Sequence, residues 1–159
     1  MREHSRSVTR VEQALAEAGV QTKVVELDKS TRTAELAAQA LDVELGSIVK
    51  SLLFLADEKP LLALVAGDKR ASTASIAAAM GASTARIASA DEVRAITGYA
   101  IGGVPPIGYD EPFPVLIDKS LSRFSRVYAA AGTPRAVFPI SFEELLRATR
   151  GRLADISET

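Results

Sequence analysis

Apolar residues at Val8, Val11, Leu15 and Ala18 recur every three or four positions, the period of a helix that buries one stripe, and Gly19 ends the run. Thr9 and Glu12 have capping-box spacing for this first helix. The pattern then shortens. Thr22 to Leu27 predicts a strand, Lys29 to Thr33 a polar turn, and Ala34 to Leu41 a short Ala-rich helix capped by Thr33. Two β-prone runs follow, Ser47 to Ala56 and Leu61 to Ala66. Asp57-Glu58-Lys59-Pro60 joins them as a four-residue connection, which predicts a hairpin and the central antiparallel pair.

Beyond the hairpin, Ser72 or Thr73 opens a helix that runs through Met80 and stops at Gly81, and Arg86 to Ala88 is a short strand candidate. Ser89 and Glu92 form an S-x-x-E box before Val93 and Ile96, with Gly98 as the stop. Gly98 to Asp110 (GYAIGGVPPIGYD) holds four glycines and two prolines, which excludes regular helix or central strand. Strands are predicted at Phe113 to Ile117, Arg126 to Ala130 and Ala136 to Ile140. A second S-x-x-E box at Ser141 and Glu144 opens a last helix, and Arg152 to Ile156 supplies a final short strand. Helices alternate with strands, yet several strands are joined as hairpins. The expected class is therefore α+β: an irregular mixed sheet or barrel of about six to seven strands with flanking helices.

Composition narrows the chemistry. The 159 residues are 47% hydrophobic and 25% charged, which fits one globular domain over residues 1–159. There is no cysteine, and the single histidine, His4, sits in the first turn of the chain. Thiol nucleophiles, Cys-based zinc sites and Ser-His-Asp catalysis thus lack their residues. Nineteen basic against twenty acidic side chains give a net charge of −1, so an anionic partner must be met locally rather than by a basic surface, and DNA is not an expected ligand. Met1 to Ala14 lacks the apolar stretch of a signal peptide, and apolar runs such as Leu61 to Ala66 are too short to span a bilayer; a cytoplasmic protein without membrane contact is expected.

Two features call for a reason. In Ile48 to Leu55 the two-residue period places Lys50 on the face of Ile48, Leu52 and Phe54, so an ammonium group interrupts an apolar stripe. Either it sits at a sheet edge and reaches for water, or it lines a pocket and meets an anion. The second feature is Gly102-Gly103-Val104-Pro105-Pro106-Ile107-Gly108. Paired glycines allow positive φ and bare one surface of the backbone while the prolines stiffen it, so the segment is either a plain turn or a rigid set of N–H donors suited to a carbonyl oxygen that gains charge. Neither G-x-G-x-x-G nor a P-loop occurs.

Other charged residues read as surface. The pairs Asp57/Glu58, Asp91/Glu92, Asp110/Glu111 and Glu143/Glu144 are adjacent in sequence, which points neighbours apart and supplies no metal-ligand set. Lys69 and Arg70, with Arg32, Arg86, Arg123, Arg126 and Arg135, could form a local basic rim.

Four stretches together resemble the YbaK family, free-standing relatives of the editing domain inserted in bacterial prolyl-tRNA synthetases: Ala34 to Phe54, Gly98 to Gly108, Val115 to Leu121 and Val127 to Thr133, in the family's order. The resemblance implies a YbaK-like fold and a trans-acting deacylase of mischarged aminoacyl-tRNA, above all tRNA for proline carrying a small non-cognate amino acid. It implies no metal and no cofactor, the tRNA acceptor end as partner, and prolyl-tRNA synthetase as a second partner. On this reading Lys50 matches the family's strand lysine and holds the terminal adenosine phosphate or positions the 3′ end. Gly102 and Gly103 act on the ester through the loop backbone, and Val104, Pro105, Pro106 and Gly108 of the same loop bind the substrate. Asp118 and Gly132 match further positions near the pocket. Asp42 departs from the glycine many members carry after the second helix. An aminoacyl ester is already activated, so orientation and oxyanion stabilisation can suffice without a protein nucleophile. Two other readings stay open: a non-catalytic module that binds tRNA or a nucleotide, and hydrolysis of a small activated acyl compound.

Overall fold

A computed structural model describes residues 6–28 and 33–158. Helix α1 (Arg6–Glu17) leads to strand β1 (Val25–Glu26), helix α2 (Ala34–Leu41), the hairpin β2 (Val49–Ala56) and β3 (Lys59–Ala66), and helix α3 (Thr73–Met80). Then come β4 (Ala85–Ile87), α4 (Ala90–Thr97), the Gly/Pro segment, β5 (Val115–Asp118), β6 (Arg126–Ala130), β7 (Ala136–Ser141), α5 (Phe142–Thr149) and β8 (Arg152–Ala154). Five strands form a mixed sheet in the order β4-β2-β3-β5-β8, with β3-β5 and β5-β8 parallel, and three form an antiparallel sheet, β1-β7-β6. The expected α+β class holds. The sheet or barrel takes the form of two sheets that meet at one parallel bridge, Ile48 to Tyr128, and the described strands number eight rather than six to seven.

The hairpin is central, as its composition implies. Leu61 to Ala66 are all fully buried, and alternate residues serve opposite faces. Leu62, Leu64 and Ala66 join the core shared with α1, α5 and the small sheet, while Leu61, Ala63 and Val65 meet Ile76 of α3 and Ile156. A strand covered on both faces reads as a continuous apolar run for this reason.

Several boundaries differ from expectation. The hairpin loop is two residues, not four: Asp57 and Glu58 both adopt positive φ (48° and 64°), and Lys59 and Pro60 belong to β3. That geometry matches the twist of the strands and usually asks for glycine or asparagine. Here the Asp57 carboxylate accepts the N–H groups of Ser83 and Thr84 at 3.1 Å, contacts invisible in a local pattern. Helix α1 already includes Arg6, so Thr9 and Glu12 lie inside it and do not cap it. Only Val25 and Glu26 of the first predicted strand pair with β7.

Other predicted caps hold. Thr33, Ser72 and Ser89 accept the N–H groups of Leu36, Ser75 and Glu92, and the Glu92 carboxylate closes a full box. Ser141 accepts the Glu144 N–H at 3.1 Å. Asp42 ends α2 at φ 55°, the left-handed conformation that glycine most often supplies at a helix end. His4, Arg32 and most of the Lys29 to Thr33 turn lie outside the described residues. No helix among the described residues is long and apolar enough to cross a membrane.

Candidate active site

After the Ile48–Tyr128 rung, β2 and β6 part, because β2 continues into the five-stranded sheet and β6 turns into β7. Strand β4 covers β2 only from Phe54 onward. The space between is a cleft of about 400 Å³. Its walls are Val49 to Leu53 of β2, Tyr128 to Ala130 of β6, the first turn of α2, Ile87 with Ala88, and the loop residues Ile101, Gly102 and Val104. Its size falls in the range of small-molecule sites, and its walls are mainly aliphatic.

Lys50 is the cation in that wall. It is half-buried, and its ammonium donates to the Lys69 carbonyl at the turn after β3. Burial pushes its pKa below the ordinary lysine range; Glu35 and Asp68 pull back upward and Arg70 adds to the lowering. Asp68 is itself held by the Arg123 guanidinium, at 2.9 and 2.6 Å, so it faces Lys50 already paired. Lys50 thus lines a pocket, and its ammonium meets a carbonyl there.

The Gly/Pro segment is fixed from within. Tyr99 donates its hydroxyl to the Gly108 carbonyl at 3.1 Å, Tyr109 donates to the Pro105 carbonyl at 2.7 Å, and the two rings meet edge-on with centroids 5.7 Å apart. Gly102, at φ 89°, and Val104 reach the cleft, and among the described residues no acceptor meets their N–H groups. Gly103 differs: its N–H donates to Ala100 O at 2.9 Å, and a Cβ there would lie 2.8 Å from Thr133 Cα. It serves close packing of two loops. Pro105 and Pro106 are buried, and Pro106 and Gly108 face a second cavity of about 500 Å³ between the loop, α1 and α5.

The structure does not bring Asp118 and Gly132 to the cleft wall. Asp118 is 1% exposed, and its carboxylate accepts the Ile156 N–H at 2.8 Å, the Ser120 N–H at 3.1 Å and the Ser120 hydroxyl. Burial would raise its pKa, and these hydrogen bonds outweigh burial and hold it below the usual carboxylate range. Gly132, at φ 102°, lets α1 approach: a Cβ would sit 2.7 Å from Ser7 O. The supposed basic rim shrinks too, since Arg86 is clamped between Glu58 and Glu92 at 2.9 Å and Arg123 is on Asp68. Sequence reasoning passed over Ser51, Tyr128 and Ile101, because their place in the cleft follows from where strands separate and not from residue type.

The aminoacyl-tRNA editing domain family matches residues 28–148. The chain is 28% identical over 126 residues to EbsC of Enterococcus faecalis, a candidate Cys-tRNA(Pro)/Cys-tRNA(Cys) deacylase, spanning 79% of this chain and 77% of that protein. It is 30% identical over 130 residues to the proline–tRNA ligase of Lactobacillus acidophilus, covering 82% of this chain and 23% of the ligase. The crystal structure of a candidate trans-editing enzyme for prolyl-tRNA synthetase superposes with a TM-score of 0.92 at 44% identity, covering 99% of this chain and 100% of that one.

Proposed function

The chain belongs to the aminoacyl-tRNA editing domain family, a deacylase fold, and from that premise we propose that it hydrolyses tRNA for proline mischarged with a small non-cognate amino acid, acting in trans. One observation carries this reading: a single cleft joins the half-buried Lys50 to two loop N–H groups, of Gly102 and Val104, that have no acceptor among the described residues. A cation and two loop residues with unengaged N–H groups lining one small space suit an ester whose alcohol is a nucleotide.

In this mechanism Lys50 takes an anionic or hydroxyl oxygen of the terminal adenosine, and the Gly102 and Val104 N–H groups receive the ester carbonyl oxygen as it becomes negative. Water adds to the carbonyl carbon, the bond to the ribose oxygen breaks, that oxygen regains a proton, and the free amino acid leaves. A neighbouring ribose hydroxyl relays the proton. Gly103, Pro105, Pro106 and Gly108 hold the loop's shape; Asp118 and Gly132 hold the elements behind it. One methylene in an apolar pocket is worth about 1–3 kcal/mol, so pocket size discriminates only modestly among small amino acids. The partners are the acceptor end of the tRNA and, through it, prolyl-tRNA synthetase. The site of action is the cytoplasm, where tRNAs are charged.

The test is a panel of tRNA(Pro) charged with alanine, cysteine, serine or threonine. Wild-type protein shortens the lifetime of at least one ester, and Lys50→Ala slows that reaction about a hundredfold or more while circular dichroism and melting stay native. A protein that lengthens the lifetimes of all four is a binding module, and full activity in folded Lys50→Ala removes the assigned role.

A further inference from the structure

The wall of the cleft that follows Lys50 is an open strand edge. Ala56 and Lys59 flank the two-residue turn as partners, so the even-numbered residues of β2 exchange hydrogen bonds with β3; the Gly67 N–H on Ile48 O, at 2.8 Å, continues that series. Odd-numbered residues therefore turn their N–H and C=O groups to the other side. The Ala88 N–H on Leu53 O, at 3.0 Å, and the Asp57 N–H on Thr84 O, at 2.9 Å, show those groups engaged where β4 covers them. At Ser51 no described residue covers them. The β4 pairing starts at Phe54, and the bridge to β6 is confined to Ile48. Ser51 is partly exposed in the cleft although its hydroxyl oxygen is buried and has no partner among the described residues. What it offers the cleft is main chain.

One outward residue of an antiparallel strand presents an N–H donor and a C=O acceptor spaced to exchange both bonds with one opposing residue. We propose that the opposing residue is the substrate's aminoacyl group: its α-ammonium donates to Ser51 C=O, and its ester carbonyl accepts from the Ser51 N–H beside the Gly102 and Val104 N–H groups that take the oxygen as it becomes negative. The proposal rests on the deacylase reading and specifies how the acyl half is held. A single added residue of this kind is strand addition at its shortest. By the pleat, the amino-acid side chain then shares the face of Val49 and Leu53, and Lys50 works on the opposite face toward the nucleotide. Recognition through main chain fixes the α-carbon for any small side chain and requires an α-amine.

The experiment compares the preferred aminoacyl-tRNA of the panel with its α-hydroxyacyl counterpart, lactyl for alanyl or glyceryl for seryl, each rate divided by that ester's spontaneous hydrolysis. Losing a charge-assisted hydrogen bond to Ser51 C=O lowers the wild-type kcat/KM enhancement about tenfold or more. Equal enhancement of the two esters overturns the proposal and leaves the deacylase reading intact, whereas failure to hydrolyse any ester overturns that reading instead. Ser51→Pro deletes the outward N–H without touching a β3 hydrogen bond. Folded S51P, judged by its melting curve, loses about tenfold in kcat/KM on the aminoacyl ester, and an unchanged rate counts against the N–H contact. Where S51P does not fold, the ester comparison on wild-type protein decides.

Discussion

Lys50 and Asp118 are charged side chains in the same five-stranded sheet, and they are satisfied to very different degrees. Asp118 has both carboxylate oxygens occupied by donors from Ser120 and Ile156 and is almost wholly buried. Lys50 has three protons to donate and, among the described residues, one acceptor, the Lys69 carbonyl, and it stands in the wall of an open cleft. Burial opposes the charge at both sites; at Asp118 hydrogen bonds overcome it, and at Lys50 they do not. A buried charge with every lone pair used ties elements together. One left short of partners has capacity for a ligand.

Substitution should separate the two. Asp118→Ala strands the Ile156 and Ser120 donors and removes the tie between the end of β5 and the C-terminal segment. Hydrogen bonds to a charged group are worth about 1.5–3 kcal/mol, so chemical denaturation should show a loss of about 2–3 kcal/mol, with deacylation per folded molecule retained. Lys50→Met should show the reverse, abolished deacylation with a melting temperature equal to or above wild type, because a desolvated charge is replaced by an apolar chain of similar length. A Lys50→Met protein that melts well below wild type would place Lys50 beside Asp118 as a structural group.

The two sites also differ in how far they can be read from sequence. Lys50 was legible because a two-residue period fixes which face a side chain takes, and an ammonium on an apolar face is conspicuous. Asp118 has no such signature: its partners lie two and thirty-eight positions away, and only folding shows that they fill its oxygens. The same distinction runs through the fold. The buried hairpin, the serine and threonine caps and the glycine stops follow from local pattern. The two-residue turn at Asp57-Glu58 does not, since two non-glycine residues hold positive φ there with help from Ser83 and Thr84. The open edge at Ser51 is further still from sequence, as it depends on where β4 begins and β6 leaves.

The glycine loop gives a finer version of the same contrast. Gly103 is a packing glycine: a Cβ would press on Thr133 N, Cα and C at 2.8–3.0 Å, and backbone cannot swing aside. Gly103→Ala is expected to cost about 1–3 kcal/mol of stability, the usual range for overpacking, and to lower activity by shifting the loop. Gly102 is a cleft glycine at φ 89°, so Gly102→Ala is expected to cost about 1–2 kcal/mol for the left-handed backbone alone. Its activity per folded molecule should fall more than its stability suggests, because Gly102 itself lines the cleft. Melting temperature and kcat/KM measured on both proteins test this, and identical ratios of the two losses would erase the distinction between Gly102 and Gly103.

The smallest effect expected is a shift in a pH profile. The folded pKa of Lys50 lies below the ordinary 10.5, so its ammonium is lost earlier on the way up in pH than an exposed lysine's. Between the folded and unfolded values the unfolded chain binds the proton and the native one does not, so this residue's contribution to stability rises with pH over that window while activity falls. The enhancement over spontaneous ester hydrolysis should therefore decline with a midpoint below 10.5. Glu35, on the first turn of α2, holds the charge on Lys50, and Arg70 works against it. Glu35→Gln should move the midpoint to lower pH and Arg70→Gln to higher, each by a fraction of a unit, because both charges act through partly solvated space. Kinetic profiles of the two variants at low ionic strength give the test. Shifts of the same sign, or none, would mean that the group titrating in the profile is not Lys50, and the contrast with Asp118 would then rest on geometry alone.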